Sequence, residues 1–408
     1  MLSSLVFAVA ATAAVGQLAL SDRIARSNGC GFDGFYYCAM VRGEIVSEPF
    51  NRRVLLAFLV GKVDADGLAG FWAVSIASLV AATAIAMMVA WRLRVATRLL
   101  VFVSPLVVGA AFLLARNTFH LTATYPALSD ALGLVLLMAA VALVVLPMDP
   151  STRLLLVPVA FLAPLAREQL AVVLPLGFLL AARLRLLSWP FALGSTAATV
   201  AGGVLAFTRP SAGTGFCLTP EQTYVACPDT VGGTLRFWLK WDFGSSGGLL
   251  RFLVMVALGL GSFLLALGIL RFSGPNAGRA RWIAAVATLF AVVSVFGGGD
   301  TDRVLMPAGL LLVLAVAIGV GRNPVALLAL AILVTAYAIQ QEPFAAVGGS
   351  DHAWLEFFGL RTTTTDAVIR HGLVPTLVAL PVAVAGFVVL RRAGASRSRG
   401  EALEPRES

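Results

Sequence analysis

Acidic residues in this chain gather at the ends of long apolar runs, where a carboxylate can do chemistry. A charged group at a membrane boundary is costly unless it is paired or hydrated, so each of these acids is a candidate functional residue. A carboxylate in such a place can act as a general base. The acids at these positions are Asp33, Asp130, Glu168, Asp300, Asp302 and Asp351.

Asp33 has the most suggestive surroundings of these acids. It lies in Gly31-Phe32-Asp33-Gly34-Phe35-Tyr36-Tyr37, where the glycines permit a tight turn and the two tyrosines supply aromatic surface of the kind on which sugars stack. The segment therefore favours a general base beside a sugar-binding surface formed by Tyr36 and Tyr37. An ordinary turn aspartate is the alternative, because Asp-Gly pairs favour turns on local grounds.

The elements that carry these acids are hydrophobic helices. Of the 408 residues, 59% are hydrophobic and 12% are charged, and the mean hydropathy of +0.91 is well above that of a soluble domain. The sequence predicts an all-α polytopic bundle of about twelve spans, since crossing a bilayer takes roughly 20 apolar residues. The predicted spans are residues 2–20, 67–91, 99–115, 127–147, 153–166, 169–187, 189–208, 247–271, 282–297, 304–321, 323–339 and 372–390.

Short loops between these spans hold most of the arginines. Positively charged loops tend to stay in the cytoplasm, which places the amino terminus inside and the long connections 21–66, 209–246 and 340–371 outside. Residues 50–60 have a basic start and an apolar body too short to span, which predicts an interfacial helix. Residues 1–392 are predicted to form one membrane domain, followed by a disordered cytoplasmic tail over residues 393–408.

All four cysteines fall in the predicted outer loops. Cys30 and Cys38 make one pair and Cys217 and Cys227 a second, with numbering differences of eight and ten. An oxidising compartment fits a disulfide within each pair, although four separate free thiols fit the spacing as well. A zinc site is disfavoured, because neither pair has C-x-x-C spacing and no histidine lies near in sequence.

The first outer loop also resembles a known family. Asp33-Gly34-Phe35-Tyr36-Tyr37, followed by Pro49-Phe50-Asn51-Arg52-Arg53-Val54-Leu55-Leu56, looks like the first-loop signature of the C superfamily of integral-membrane glycosyltransferases, the GT-C fold. Ser129-Asp130, Arg167-Glu168 and Gly299-Asp300-Thr301-Asp302-Arg303 resemble landmarks of its bacterial members that use polyprenyl-phosphate sugars. The predicted topology agrees with that of the family.

The resemblance implies an inverting transfer of a sugar from a polyprenyl-phosphate donor, on the outer face of a bacterial inner membrane. Asp33 would deprotonate the acceptor hydroxyl, a role that typically contributes roughly 10²–10⁴-fold to the rate. The departing phosphate needs a cationic clamp. Arg303 is the first candidate for this clamp, followed by Arg52, Arg53 and Arg116, and the alternative for each arginine is contact with lipid headgroups.

The other acids would bind sugar hydroxyls, orient the clamp or hold a divalent ion, and structural pairing with an arginine is the alternative. These acids are Asp130, Glu168, Asp300 and Asp302. The sequence has no H-E-x-x-H motif, EF-hand, P-loop or dinucleotide fingerprint, so that no metal and no cofactor is predicted. The three histidines, among them His371, are scattered along the chain.

The predicted partners are the lipid-linked sugar donor, an envelope glycan, glycolipid or protein as acceptor, and membrane lipids. Nucleic acid is excluded, because the net charge of +9 comes from small groups of arginines between apolar runs. A transporter or flippase of lipid-linked sugars is the first rival function, and a non-catalytic membrane scaffold is the second. Span centres that are nearly free of charge and the lack of an internal repeat favour the enzyme over the transporter.

Overall fold

The chain is predominantly helical in the computed structural model, which confirms the general helical character predicted from the sequence. The predicted first span, residues 2–20, lies outside the described residues. The structure describes residues 30, 33–63, 68–93, 103–116, 121–213, 215–218, 224–226, 231–244, 246–261, 263, 275–295, 301–320, 323–342, 345, 350, 353, 356–357 and 365–401.

The first half of the chain forms helices α1 to α10, with a short 3-10 turn over Phe50–Arg52. Most of these helices are apolar runs rich in Ala, Val and Leu, and the prolines inside them include Pro164 and Pro175. Their bounds are α1 Gly34–Val41, α2 Val54–Val63, α3 Leu68–Arg92, α4 Val103–Leu114, α5 Leu121–Thr124, α6 Asp130–Val145, α7 Pro150–Arg153, α8 Leu156–Ala166, α9 Leu170–Arg183 and α10 Trp189–Phe207.

The second half begins with a small antiparallel ribbon in which Cys217 pairs with Val225, an addition to the predicted all-α architecture. Among the described residues seven helices follow, with a π-helical turn over Ile369–Leu373 directly before the last one. The bounds are β1 Phe216–Leu218, β2 Tyr224–Ala226, α11 Val231–Phe243, α12 Ser246–Leu260, α13 Ala277–Ser294, α14 Thr301–Gly319, α15 Pro324–Gln341, α16 Thr365–Val368 and α17 Val374–Glu401.

Five helical segments among the described residues are long and apolar enough to cross a bilayer, as expected of a membrane protein. The finer figure of about twelve spans stays a prediction, since the other apolar helices are shorter. A helix is present at Val54–Val63, although its place at the membrane surface also stays a prediction. The last helix continues to Glu401, inside the segment predicted to be a disordered tail. The five segments are Ala69–Arg92, Trp189–Phe207, Ala277–Ser294, Pro324–Gln341 and Asp366–Ala393.

Helices α6 and α14 lie at the centre of the bundle. Nearly every side chain of α6 is buried, and so is every residue from Val304 to Val320 around α14. A helix that is hydrophobic all round has to be covered on all sides, and α6 packs on α3 and α8 while α14 packs on α12 and α13. Both central helices have a charged side chain in their first turn, Asp130 in α6 and Arg303 in α14.

Two loops that are far apart in sequence are joined by main-chain hydrogen bonds. The Ala212 amide donates to the Val46 carbonyl at 3.2 Å, and the Glu48 amide donates to the Gly213 carbonyl at 3.0 Å. The Gly215 amide then donates to the Glu48 carbonyl at 2.9 Å, and a Cβ at position 215 would lie 2.7 Å from that oxygen. The connection after α10 is thereby fixed against the segment that leads into α2.

Candidate functional site

Arg303 brings together two acids that the sequence places far apart. Its Nη1 donates to Asp130 Oδ2 at 3.4 Å, and its Nη2 lies 3.8 Å from Asp33 Oδ2. Both residues of the first contact lie in the first turns of their helices, α6 and α14, which each contact α3. The second contact brings the start of α1 to the same place. The side chains of Arg303 and Asp130 are buried, whereas that of Asp33 is 36% exposed.

Asp130 has a second arginine partner. Arg167 Nη2 donates to Asp130 Oδ1, so the two carboxylate oxygens are divided between Arg303 and Arg167. Arg167 lies in the turn between α8 and α9, where its extended backbone ends α8. Burial of two unlike charges is tolerated only when each finds a close partner, which is the arrangement here.

Arg53 and Glu168 form the next ion pair of the site. Arg53 Nε donates to Glu168 Oε2 at 2.7 Å, Arg53 Nη2 donates to Oε1, and Arg53 Nη1 donates to the Tyr37 hydroxyl at 3.2 Å. Burial by itself raises the pKa of the Glu168 carboxyl, but the charge and hydrogen bonds of Arg53 outweigh it and lower this pKa to about 2. Glu168 is therefore ionised at neutral pH and holds the start of α2 against the turn before α9.

Tyr125 supports the backbone beside Asp33. Its hydroxyl accepts a hydrogen bond from the Gly34 amide, which belongs to the first turn of α1, where the helix itself offers that amide no acceptor. Burial raises the pKa of Tyr125, and the neighbouring charge of Asp33 raises it further, so that the phenol keeps its proton. Tyr125 thus fixes the position from which the Asp33 side chain leaves the backbone.

These contacts define an ionic cluster whose charges balance. Three arginines face three carboxylates, counted among the residues that the structure describes. Asp33 is the most exposed of the three acids, with a side-chain exposure of 36% against 17% for Glu168 and 8% for Asp130. The cluster thus presents one accessible proton acceptor, Asp33, beside the cation Arg303, which also contacts the buried Asp130. The cluster consists of Asp33, Arg53, Asp130, Arg167, Glu168 and Arg303.

The two tyrosines after Asp33 differ in their surroundings. Tyr37 is fully buried and bonds Arg53, so its ring supports the cluster and offers no surface to a sugar. The ring of Tyr36 is partly exposed and stacks on Phe50, with ring centroids 4.1 Å apart. Cys38, in the same helix, forms a disulfide with Cys30, which closes the chain around the start of α1.

The structure places Arg116 in a different set of contacts. Its backbone amide donates to the Gln341 side chain, its Nη1 donates to the His371 carbonyl at 3.1 Å, and its guanidinium lies 4.8 Å from the centre of the Phe357 ring. Glu342 lies 3.9 Å from the same guanidinium and 3.3 Å from His371 Nδ1. The fully buried Arg116 side chain therefore joins the ends of α4 and α15 to the π-helical turn.

Arg52 also points to other partners than the ionic cluster. Its Nη2 pairs with Glu48 at 2.6 Å, and its guanidinium lies 4.7 Å from the centre of the Phe207 ring.

Asp302 belongs to the first turn of α14 and Cys217 to β1. The remaining predicted site residues lie outside the described residues, namely Asp300, Asp351 and Cys227.

Sequence reasoning missed two members of the site. Arg167 was predicted only as a neighbour of Glu168, and Tyr125 was not singled out at all. A signal for Arg167 existed, because an arginine flanked by two apolar runs on the predicted outer side needs a carboxylate partner. Among the described residues, no group of three His, Cys, Asp or Glu side chains is close enough to hold a metal ion.

Comparison with known proteins gives no relative on which to base a function. No family model matches the chain, and no curated protein or solved structure matches it. The geometry and the chemistry of the ionic cluster are therefore the basis for a function.

Proposed function

We propose that this protein is a membrane glycosyltransferase of the GT-C type. It moves a sugar from a polyprenyl-phosphate donor to an acceptor in the cell envelope, on the outer face of the bacterial inner membrane. The observation that carries the proposal is the order Asp33, Arg303, Asp130, in which an accessible carboxylate lies 3.8 Å from a cation that a buried carboxylate holds. A base next to a phosphate partner is what this transfer needs.

Each part of the transfer has a group at hand. Asp33 takes the proton of the acceptor hydroxyl, whose oxygen forms the new bond to the anomeric carbon and inverts its configuration. The bond from this carbon to the phosphate oxygen breaks, and its electron pair leaves with the polyprenyl phosphate. One negative charge thus moves from Asp33 to the phosphate. Arg303 lies beside Asp33. Once the Asp33 carboxyl is neutral, Arg303 can pair with the new negative charge on the phosphate.

The surroundings of the cluster support an enzyme on the outer face. The Cys30–Cys38 disulfide favours an oxidising compartment for the loop that carries Asp33, because such bonds rarely persist in the cytoplasm. The cluster forms at the amino ends of α6 and α14, whereas transporter sites typically lie near the middle of the bilayer. Both observations favour chemistry on a lipid-linked substrate over its passage through the bundle.

The test is sugar transfer by the purified protein in lipid nanodiscs, supplied with radiolabelled polyprenyl-phosphate sugars and an envelope-lipid extract. Asp33→Asn should reduce transfer by roughly 10²–10⁴-fold in a variant that remains folded at the assay temperature. Glu44→Gln is the matched control, because Glu44 is an exposed acid of the same loop that pairs only at the surface with Arg42 at 2.7 Å among its described contacts. This control should leave transfer unchanged.

Two results would contradict the proposal in different ways. Transfer that survives in a folded Asp33→Asn variant would remove Asp33 from the mechanism. Absence of transfer with every donor, together with movement of a labelled lipid-linked sugar across the bilayer of reconstituted liposomes, would identify a transporter instead.

A further inference from the structure

Asp130 is poorly suited to bind a substrate and well suited to hold its neighbours. Both of its carboxylate oxygens are engaged, Oδ1 by Arg167 and Oδ2 by Arg303. Its side chain is only 8% exposed, against 36% for Asp33. Because Arg303 lies near both acids, the strength of its ion pair with Asp130 affects the strength of its ion pair with Asp33.

Gly133 determines where Arg167 can lie. It follows Asp130 by one helical turn, and its amide donates to the Ser129 carbonyl at 2.9 Å as part of the start of α6. A Cβ at position 133 would overlap with Cγ of Arg167, so the stem of this arginine occupies the place that a side chain would take. Only glycine at this position lets Arg167 reach Asp130 over the first turn of α6.

We propose that Asp130 is a positioning residue that divides its charge between Arg167 and Arg303, and that Gly133 sets this division by admitting Arg167. This inference rests on the proposed function, within which it assigns Asp130 and Gly133 a role in tuning the base and the phosphate clamp. A stronger ion pair between Asp130 and Arg303 draws Arg303 away from Asp33, and a weaker one lets Arg303 pair with Asp33. A carboxylate that is paired more tightly with an arginine gives up this ion pair on protonation and is the weaker base.

The two substitutions that disturb this division act in opposite directions. Asp130→Asn removes the competing charge, so that Arg303 pairs more strongly with Asp33 and Asp33 becomes a weaker base. Gly133→Ala displaces Arg167, so that Asp130 keeps its full charge for Arg303 and Asp33 becomes a stronger base. General damage to the fold has no reason to produce effects of opposite sign.

The experiment is the dependence of kcat on pH for sugar transfer by the full chain in nanodiscs. The acid limb, where Asp33 takes up a proton, should move to lower pH by roughly half a unit or more in Asp130→Asn, and kcat above this limb should fall about twofold to threefold. The same limb should move to higher pH in Gly133→Ala. Gly109→Ala is the matched control, because Gly109 also packs closely in a helix, but against the flexible end of Met87, and its limb should stay in place. Limbs that stay in place, or that move in the same direction, in folded variants overturn the inference.

A second measurement does not depend on transfer. The non-additivity of the melting-temperature changes caused by Asp33→Asn and Arg303→Gln reports how strongly these residues interact. This non-additivity should fall in the Gly133→Ala background, since Arg303 then moves toward Asp130, and it should not fall in the Gly109→Ala background. An unchanged value in Gly133→Ala overturns the inference even if the wild type transfers no sugar. A fall without any transfer supports the positioning role and contradicts only the proposed function.

Discussion

Arg53 holds Glu168 through two hydrogen bonds although 115 positions of the chain separate them. The pair joins the first loop, at the start of α2, to the turn between α8 and α9. Arg53 and Glu168 are both largely buried, with side-chain exposures of 8% and 17%, so neither charge can be satisfied by water when the other is removed.

Loss of this pair should therefore destabilise the protein. Arg53→Gln leaves the Glu168 carboxylate buried without its cation, and we expect the free energy of unfolding to fall by about 3 kcal/mol. Thermal unfolding in detergent, followed by tryptophan fluorescence, measures this change. Arg42→Gln serves as the control, because the Arg42–Glu44 pair is more than half exposed and should contribute at most about 1 kcal/mol. Equal effects of the two substitutions would contradict the assigned role of Arg53.

The same pair predicts how stability depends on pH. The pKa of Glu168 is about 2 in the folded protein, below its ordinary value of 4.5, so its ionised form favours folding. This contribution, about 3 kcal/mol by linkage, is complete above pH 4.5 and is lost as the pH falls from 4.5 to about 2. Melting temperatures measured from pH 7 to pH 3 should fall more steeply for the wild type than for Glu168→Gln. Parallel pH profiles would show that Glu168 titrates normally in the folded state.

Tyr125 should contribute to catalysis through the backbone next to Asp33. Tyr125→Phe removes the acceptor of the Gly34 amide, and we expect a loss of about 1–3 kcal/mol in stability because a buried donor then loses this partner. In the transfer assay, kcat should fall about tenfold with little change in the KM for the donor, since Asp33 is less well placed to accept the proton. A large increase in KM with an unchanged kcat would instead indicate that Tyr125 contacts the donor.

Arg116 should prove structural, in contrast to Arg303. Arg116→Gln breaks the contacts with the His371 carbonyl and with Glu342, and we expect a loss of about 3 kcal/mol in stability. The KM for the donor should stay close to that of the wild type when measured well below the melting temperature of the variant. Arg303→Gln should show the reverse, a raised KM and a lowered kcat. A donor KM that rises equally in both variants would show that Arg116 also binds the phosphate of the donor.

Much of the helical architecture follows from the sequence alone. Apolar runs predicted helices over 67–91, 189–208 and 323–339, and the structure has Leu68–Arg92, Trp189–Phe207 and Pro324–Gln341. These predictions succeed because hydrophobicity and helix propensity act locally, within the run itself. The helix Gly34–Val41, in the predicted first outer loop, was not itself predicted, since a short segment with mixed polarity depends on what packs around it.

In the candidate site, the sequence predicted individual residues, whereas their contacts depend on tertiary packing. Residue types and their position at the ends of apolar runs were enough to single out Asp33, Asp130, Glu168 and Arg303. Their partners were not readable, because the contact of Arg303 with Asp130 spans 173 positions and forms only when the first turns of α6 and α14 meet in the folded chain. The same holds for Arg116, which was grouped with Arg303 by its residue type and which the packing of α4 against α15 places elsewhere.

By itself, then, the sequence determined that the chain forms apolar helices suited to a membrane and that its acids lie at their ends. Only the tertiary structure decided which arginine each acid meets, which acid stays accessible and that Gly133 makes room for Arg167. The physical reason is the range of the interactions. Apolar burial is encoded in each run separately, whereas an ion pair inside a membrane protein depends on the packing of helices that lie far apart in the chain.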